Sequence, residues 1–486
     1  MIYLKQNTDA YDNDFRTMIQ AFIPREKIIL QETDTRLTFQ ADFTEDQVTL
    51  SLWEDGKKLD EETAVCHYQD KKEARNPIKA AAYYLLSRYC GKTLPWGSMT
   101  GVRPTKFATA RLEQGWKRED IIREYEELYL TTGQKGEICY RVAKREQELL
   151  QPFRYTEEYC LYVGIPFCLS RCLYCSFAAY PVGQFGDRIP DYLQALFHEM
   201  EYVAKACAGK RLVAFYMGGG TPTALSTEQL AQVIDRIYEL FDTTYVREFT
   251  VEAGRPDSLS REKFEMLNSR PVTRISINPQ TMNDRTLELI GRAHTSQMIL
   301  DAYAMARECG MDNINMDMIV GLPGEGIEEV RHTLEVIKQL RPDSLTVHSL
   351  AIKRAAELNI QMKQYQDQIW GSSNEMLELA DRYATELGMN PYYLYRQKNI
   401  PGNLENVGYA VPGKECLYNI LIMEEKMDII AIGAGTSTKL TFPAENRIER
   451  VENVKNVDDY IRRTDEMIAR KQAGLEQKPE ELHWQK

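Results

Sequence analysis

Three cysteines crowd into the stretch IPFCLSRCLYCSF: Cys168, Cys172 and Cys175, in a C-x3-C-x2-C spacing. Thiols this close in a reducing compartment point to metal or redox chemistry more than to crosslinks. A structural zinc site wants four ligands, usually as two paired knuckles. Here no second C-x2-C follows, and the next cysteine downstream is Cys207. Three thiolates on three irons of a cubane cluster leave the fourth iron open to an outside ligand, which suits the missing fourth cysteine. The chain has ten cysteines in 486 residues, far too few for a disulfide scaffold, so the others read as inert buried thiols.

A second signal is the glycine run MGGGTPT, Met217–Thr223. Glycines leaving a strand let backbone groups approach a ligand closely. No lysine follows, as a phosphate loop would require, and a tight turn is the plain alternative. Four more polar residues follow in order along the chain's six β-rich runs: Glu252 ends the third, Gln280 the fourth, Arg292 comes after it in IGRAHT, and Asp317 lies within the fifth. Taken singly, each is more often a satisfied structural group. Taken together, they sit where a barrel aims polar side chains at a ligand.

What must position these residues is a rhythm of short β-rich runs, each followed by an amphipathic stretch of helical length. Six runs carry it: LYVGIPF (161–167), RLVAFYM (211–217), EFTVEA (248–253), TRISINP (273–279), NINMDMIV (313–320) and DSLTVHSL (343–350). Repeated strand–helix–strand units pair in parallel through right-handed crossovers. The fold class is therefore α/β, with a partial (β/α)6 barrel over residues 156–365 whose site lies at the C-terminal strand ends. Residues 1–155 read as an N-terminal α/β domain of no evident role. It has strands at Arg36–Ala41 and Gln47–Trp53, a helix at Ile78–Cys90, then helices over 105–150 with Ile121, Ile122, Tyr125 and Leu128 on the apolar side. Residues 366–486 read as a smaller α+β domain that covers the substrate. Its elements are a helix at Asn374–Leu387, strands at YYLYRQ and NILIMEE, an apolar DIIAIGAG and a last helix at Asp458–Lys471.

Composition limits the partners. At 43% hydrophobic and 27% charged residues the chain reads as soluble and globular. No apolar run approaches the roughly 18 residues of a membrane span. The start, MIYLKQNTDAYDNDF, lacks the pattern of a secretory signal, so the expected location is the cytoplasm. A net charge of −12 argues against nucleic acid, whose phosphates need a basic face. A local basic pocket for a small carboxylate-bearing ligand stays open.

The motifs LYVGIPFC with its CxxC, GGGTPT, VE, NPQ, GR, NMDMIVGLPGE and PDSLTVHSL resemble the radical S-adenosylmethionine (SAM) superfamily, specifically its oxygen-independent coproporphyrinogen III oxidase and heme chaperone group. GVRPTK (101–106), PYYLYRQKN (391–399) and the long N-terminal region look most like the coproporphyrinogen dehydrogenase HemZ type. The aromatic Tyr174 before the last cysteine also fits, as does Phe177. The resemblance implies two cofactors, a 4Fe-4S cluster on Cys168, Cys172 and Cys175 and SAM chelated to its open iron. It implies SAM contacts at Tyr162, Gly219, Gly220, Thr221, Glu252, Gln280, Arg292 and Asp317. The implied reaction converts two propionates of coproporphyrinogen III to vinyl groups, giving protoporphyrinogen IX without oxygen. The implied partners are a tetrapyrrole and a one-electron donor such as flavodoxin or ferredoxin. Arg103, Lys106, Arg396 and Lys398 are candidates to meet the propionates. At two positions the chain departs from the group's coproporphyrinogen oxidases: Gly164 stands where they carry histidine and Phe177 where they carry cysteine. The C-x-F ending is similar to the heme chaperone branch. Two alternatives therefore accompany the oxidase reading: carriage of heme, and radical SAM chemistry such as ring opening with methyl transfer on heme or another tetrapyrrole.

Overall fold

The structure is a computed structural model that describes every residue except 25, 33–34, 178, 352–357, 359–370, 398–399 and 479–486. The N-terminal region builds a five-stranded sheet, in the order β2-β1-β3-β4-β5, from β1 (Ile2–Gln6), β2 (Ile28–Ile29), β3 (Leu37–Phe43), β4 (Gln47–Glu54) and β5 (Lys57–Val65). Alternate residues of β3, namely Leu37, Phe39, Ala41 and Phe43, are buried, the period-two pattern of a half-covered strand. They pack with Phe15, Leu50, Ile78 and Leu85 into a core separate from that of the main sheet. The helix expected at Ile78–Cys90 begins earlier, at Lys71, where Asp70 caps it by accepting from the amides of Lys72 and Glu73. Helices Thr105–Glu113, Arg118–Tyr129 and Gly133–Leu150 follow. Ile121 and Tyr125 face the main core, while Ile122 and Leu128 are half-buried.

All six expected barrel strands are present: β6 (Glu158–Ile165), β9 (Arg211–Gly219), β10 (Glu248–Glu252), β11 (Arg274–Ser276), β12 (Ile314–Val320) and β13 (Ser344–Ser349). Each pairs in parallel with the next. Two short strands, β7 (Phe167–Cys168) and β8 (Tyr180–Pro181), pair with each other just beyond β6. The boundary expected near residue 365 falls outside the described residues. Beyond it, β14 (Asn390–Arg396) and β15 (Glu405–Ala410) extend the sheet antiparallel from β13, while β16 (Asp428–Ile432) joins β6 in parallel and carries β17 (Ser437–Phe442) and β18 (Arg447–Glu452). The result is one open sheet of eleven strands, with residues from the C-terminal part of the chain on both edges.

One expected strand is a helix. NILIMEE lies in a helix at Leu417–Glu424 that buries Tyr418, Ile420 and Leu421. The amides of Leu417 and Tyr418 donate to the Glu248 carboxylate of β10, at 2.7 and 3.2 Å. A carboxylate at a helix N-terminus satisfies its orphan amides and opposes its dipole. That partner is 170 residues away in the chain. Among the described residues, no helix is long and apolar enough to cross a membrane.

Candidate functional site

The cysteine loop follows β6 and is tied down by backbone groups. The Tyr180 amide donates to the Pro166 carbonyl at 2.8 Å, Leu173 to Ile290 at 2.9 Å, and Cys175 to Cys172 at 3.1 Å. The glycine run after β9 packs against the same loop. The amides of Gly220 and Thr221 donate to the carbonyls of Ile165 and Phe167, both at 2.7 Å. A Cβ on Gly220 would stand 2.5 Å from the Phe167 carbonyl oxygen, so only glycine allows this backbone approach. Thr221 reaches further, its Oγ1 lying 3.4 Å from Cys168 Sγ. Gly218 leaves room for Glu252, whose carboxyl carbon would be 2.9 Å from an added Cβ.

These elements close around a cavity of about 280 Å³. Cys168, Cys172, Cys175, Gly219, Gly220, Thr221, Glu252, Gln280, Arg292 and Asp317 all line it: the cysteines from the loop after β6, the glycine run from the end of β9, Glu252 from the end of β10, Gln280 from beyond β11, Arg292 from after the helix Asp284–Leu289 and Asp317 from within β12. Tyr162 does not. Its ring lies deeper in the barrel, stacked on Tyr216 (5.9 Å between centroids) and Tyr418 (5.9 Å), which stack on each other at 4.6 Å. Tyr162 thus lies behind the cavity wall, which its stack reaches only through Tyr216, the donor to Glu252 at 2.6 Å.

The two carboxyl groups differ in environment. Burial pushes the Glu252 carboxyl up to about 7, against the hydrogen bond from Tyr216, and the nearby Asp317 charge adds to the rise. Burial also works to raise Asp317, yet His348, Asn315 and Thr346 outweigh it and hold the group below its ordinary value. His348 Nε2 stands 3.9 Å from Oδ2, and Asn315 donates to Oδ1 at 2.6 Å. Gln280 adopts φ +64°, a left-handed conformation costly for a residue with a Cβ. Two backbone bonds to β12 impose it, Gln280 to the Asp317 carbonyl and Ile319 to the Gln280 carbonyl, each 2.9 Å. Its buried Oε1 has no partner among the described residues. Arg292 is buried and donates to the carbonyls of Asn278 (2.7 Å) and Gly254 (3.3 Å), with Cys172 and Tyr174 close by.

The cations expected to meet propionates lie elsewhere. Arg103 pairs with Glu425 at 2.6 Å and donates to the Met423 carbonyl, and Lys106 shares that acidic neighbourhood. Arg396 is buried on the far face of β14, donating to the carbonyls of Met99 (2.7 Å) and Asn403 (2.9 Å), with its guanidinium 4.9 Å over the Trp96 ring. The alternation of β14 explains it: Tyr395 faces the cavity, so Arg396 cannot. Lys398 lies outside the described residues. Unforeseen in the sequence, Arg255, Asn278 and His348 line the cavity. His348 falls two residues from the end of a strand already recognised, and Arg255 sits in the turn EAGRPD after another, so strand-end position was the available signal.

Burial pushes the Cys168 thiol up to about 11, so a metal must draw off its proton on binding. Among the described residues, no three His, Cys, Asp or Glu side chains crowd together as ligands of one ion. Three thiols lining one cavity suit a cluster, in which each takes a separate iron.

Residues 162–337 match the radical SAM superfamily. The chain is 39% identical over 410 residues to the oxygen-independent coproporphyrinogen-III oxidase-like protein HemZ of Bacillus subtilis, covering 84% of this chain and 82% of that one. It is 36% identical over 193 residues to the heme chaperone HemW of the same organism, spanning 40% of this chain and half of that protein. The fold is similar to that of coproporphyrinogen III oxidase (HemN) from Escherichia coli, a radical SAM enzyme, at 24% identity and a TM-score of 0.50, over 66% of this chain and 73% of the other. Radical SAM proteins use a 4Fe-4S cluster and SAM as cofactors. The chain therefore belongs to the radical SAM superfamily, in the heme-related group of the coproporphyrinogen-III oxidase-like protein HemZ.

Proposed function

We propose that this protein oxidatively decarboxylates two propionates of coproporphyrinogen III by radical SAM chemistry, each propionate losing a hydrogen atom, CO2 and one electron, the last to a one-electron acceptor, and leaving a vinyl group. The observation that carries the reading is that one cavity is lined by all three clustered cysteines, the glycine run and the polar residues Glu252, Gln280, Arg292 and Asp317. Cys168, Cys172 and Cys175 would hold the cluster, leaving one iron for SAM. Gly219, Gly220 and Thr221 offer main-chain groups to SAM, and Glu252, Gln280, Arg292 and Asp317 surround it with polar contacts. When bound, the cluster and SAM supply a carbon-centred adenosyl radical that abstracts a substrate hydrogen.

The chain's own part is to position and to exclude water. Glu252 and Asp317 sit on opposite sides of their ordinary range, so near neutral pH one can share a proton while the other stays charged. The tetrapyrrole lies toward His348, Tyr395, Gln397 and Asn406, the cavity wall away from the cysteines. Tyr395 offers an aromatic face there, stacked on Tyr393 at 6.0 Å. Residues 366–486 supply part of that wall, in keeping with a substrate-covering role. A bound cluster would draw its electron from a one-electron donor such as flavodoxin or ferredoxin.

Heme carriage is the second reading, supported by the similarity to HemW and by Phe177, which stands 64% exposed at the cysteine loop. The Gly164 departure has a structural counterpart: a Cβ there would lie 2.5 Å from Thr436 Cγ2, so a histidine has no room. Anaerobic incubation of the reconstituted protein with SAM, a strong reductant and coproporphyrinogen III decides between them. Successive loss of two carboxyl groups, with 5'-deoxyadenosine formed, supports decarboxylation. SAM cleavage with unchanged porphyrin mass sinks it, and stoichiometric heme binding would then favour carriage.

A further inference from the structure

Arg255 is a buried guanidinium, 3% exposed, in the loop after β10. One edge grips Asp257 in a two-point pair, Nε to Oδ1 at 3.0 Å and Nη2 to Oδ2 at 2.6 Å. The remaining nitrogen, Nη1, points into the cysteine loop. It donates to the Ser170 carbonyl at 3.0 Å and hydroxyl at 2.9 Å, and lies 4.0 Å from Cys172 Sγ. The backbone behind it is braced as well. Ser258 donates to the Arg255 carbonyl through its amide (3.0 Å) and hydroxyl (2.7 Å), and its Oγ also lies 2.7 Å from Thr223 Oγ1, in the segment that follows the glycine run. One side chain thus joins the loops after β6 and β10, and its backbone is tied to the loop after β9.

We propose that Arg255 is a positioning residue for the iron-sulfur cluster, holding the cysteine loop in shape and a fixed positive charge beside Cys172 that raises the cluster's reduction potential. The proposal rests on the assignment of Cys168, Cys172 and Cys175 as cluster ligands. Reduction adds one electron to a site already carrying three thiolates, and a buried cation beside a ligand sulfur favours that extra charge. Asp257 orients the guanidinium and offsets part of its field from the side away from the sulfur. Arginine suits the task better than lysine because its planar fork serves Asp257, Ser170 and the sulfur at once.

The test is an anaerobic redox titration of the SAM-free, reconstituted full chain, read by electron paramagnetic resonance, with iron and sulfide counted per chain. Arg255→Gln is expected to make reduction about tenfold less favourable, a downward shift of about 59 mV for one electron. Arg255→Lys, which keeps the charge, is expected to fall between that variant and the wild type. Asp257→Asn strips the offsetting charge and is expected to shift the potential upward. Full iron loading with an unmoved potential in Arg255→Gln and Asp257→Asn overturns the proposal. If Arg255→Gln does not hold iron, Asp257→Asn and Arg255→Lys decide: an upward shift in the first supports the proposal and an unmoved potential overturns it. A wild-type chain that takes up no cluster removes the ligand assignment itself, a distinct failure visible before any variant is made.

Discussion

The hydroxyl of Tyr216 donates to the Glu252 carboxylate across 2.6 Å, joining the aromatic stack inside the barrel to the polar wall of the cavity above it. Burial nonetheless dominates and carries the Glu252 carboxyl from an ordinary 4.5 up to about 7. A folded-state value raised above the unfolded one favours the protonated form in the fold. Its contribution to stability is fully present below about pH 4.5 and is lost as the pH rises through about 7. Thermal melting of the cofactor-free chain should show this loss, and Glu252→Gln should flatten it. An equally steep decline in the variant would assign the dependence to another group.

Cys172→Ala should fold as the wild type does yet bind less iron and form no 5'-deoxyadenosine. Cys207→Ala is the control, since Cys207 is buried away from the cavity. Turnover retained in Cys172→Ala would sink the cluster assignment and the decarboxylation reading together.

Gly220→Ala places a methyl group 2.5 Å from the Phe167 carbonyl oxygen and 2.9 Å from that of Ile165. Neither is a side chain that can rotate away. Overpacking of this kind costs about 1–3 kcal/mol. Urea unfolding should show the loss, and SAM should bind more weakly, since the shifted backbone belongs to the cavity wall. Gly183→Ala, whose Cβ would meet nothing within 4 Å, should do neither.

Arg396→Ala should destabilise the protein without changing its affinity for substrate. The guanidinium lies over Trp96, whose indole donates to Glu405 at 2.7 Å, and Glu405 also pairs with Lys135. Removing Arg396 also takes away its bonds to the buried carbonyls of Met99 and Asn403, and leaving such groups short of a donor costs about 1–3 kcal/mol. A lower urea midpoint with unchanged KM in the folded fraction is expected. A raised KM at full stability would restore Arg396 as a substrate contact.

By itself the sequence determined the six parallel strands, the cysteine loop after the first of them and the polar residues Glu252, Gln280, Arg292 and Asp317 that line the cavity with it. Each of these follows from local pattern: apolar runs of strand length, turns at fixed offsets, and a spacing of thiols that holds within eight residues. Tertiary structure decided what depends on partners distant in the chain. Leu417–Glu424 is a helix because Glu248 meets its first amides, and DIIAIGAG becomes a seventh parallel strand because β6 has an open edge. The face of β14 on which Arg396 lies is set by its register against β15, which sends Tyr395 to the cavity and Arg396 to Trp96. Arg255, which no sequence motif singled out, gains its place only because the loops after β6 and β10 come together around it. A strand announces itself through its own alternation, but its neighbour, and so the face that meets the ligand, is chosen only when the sheet assembles.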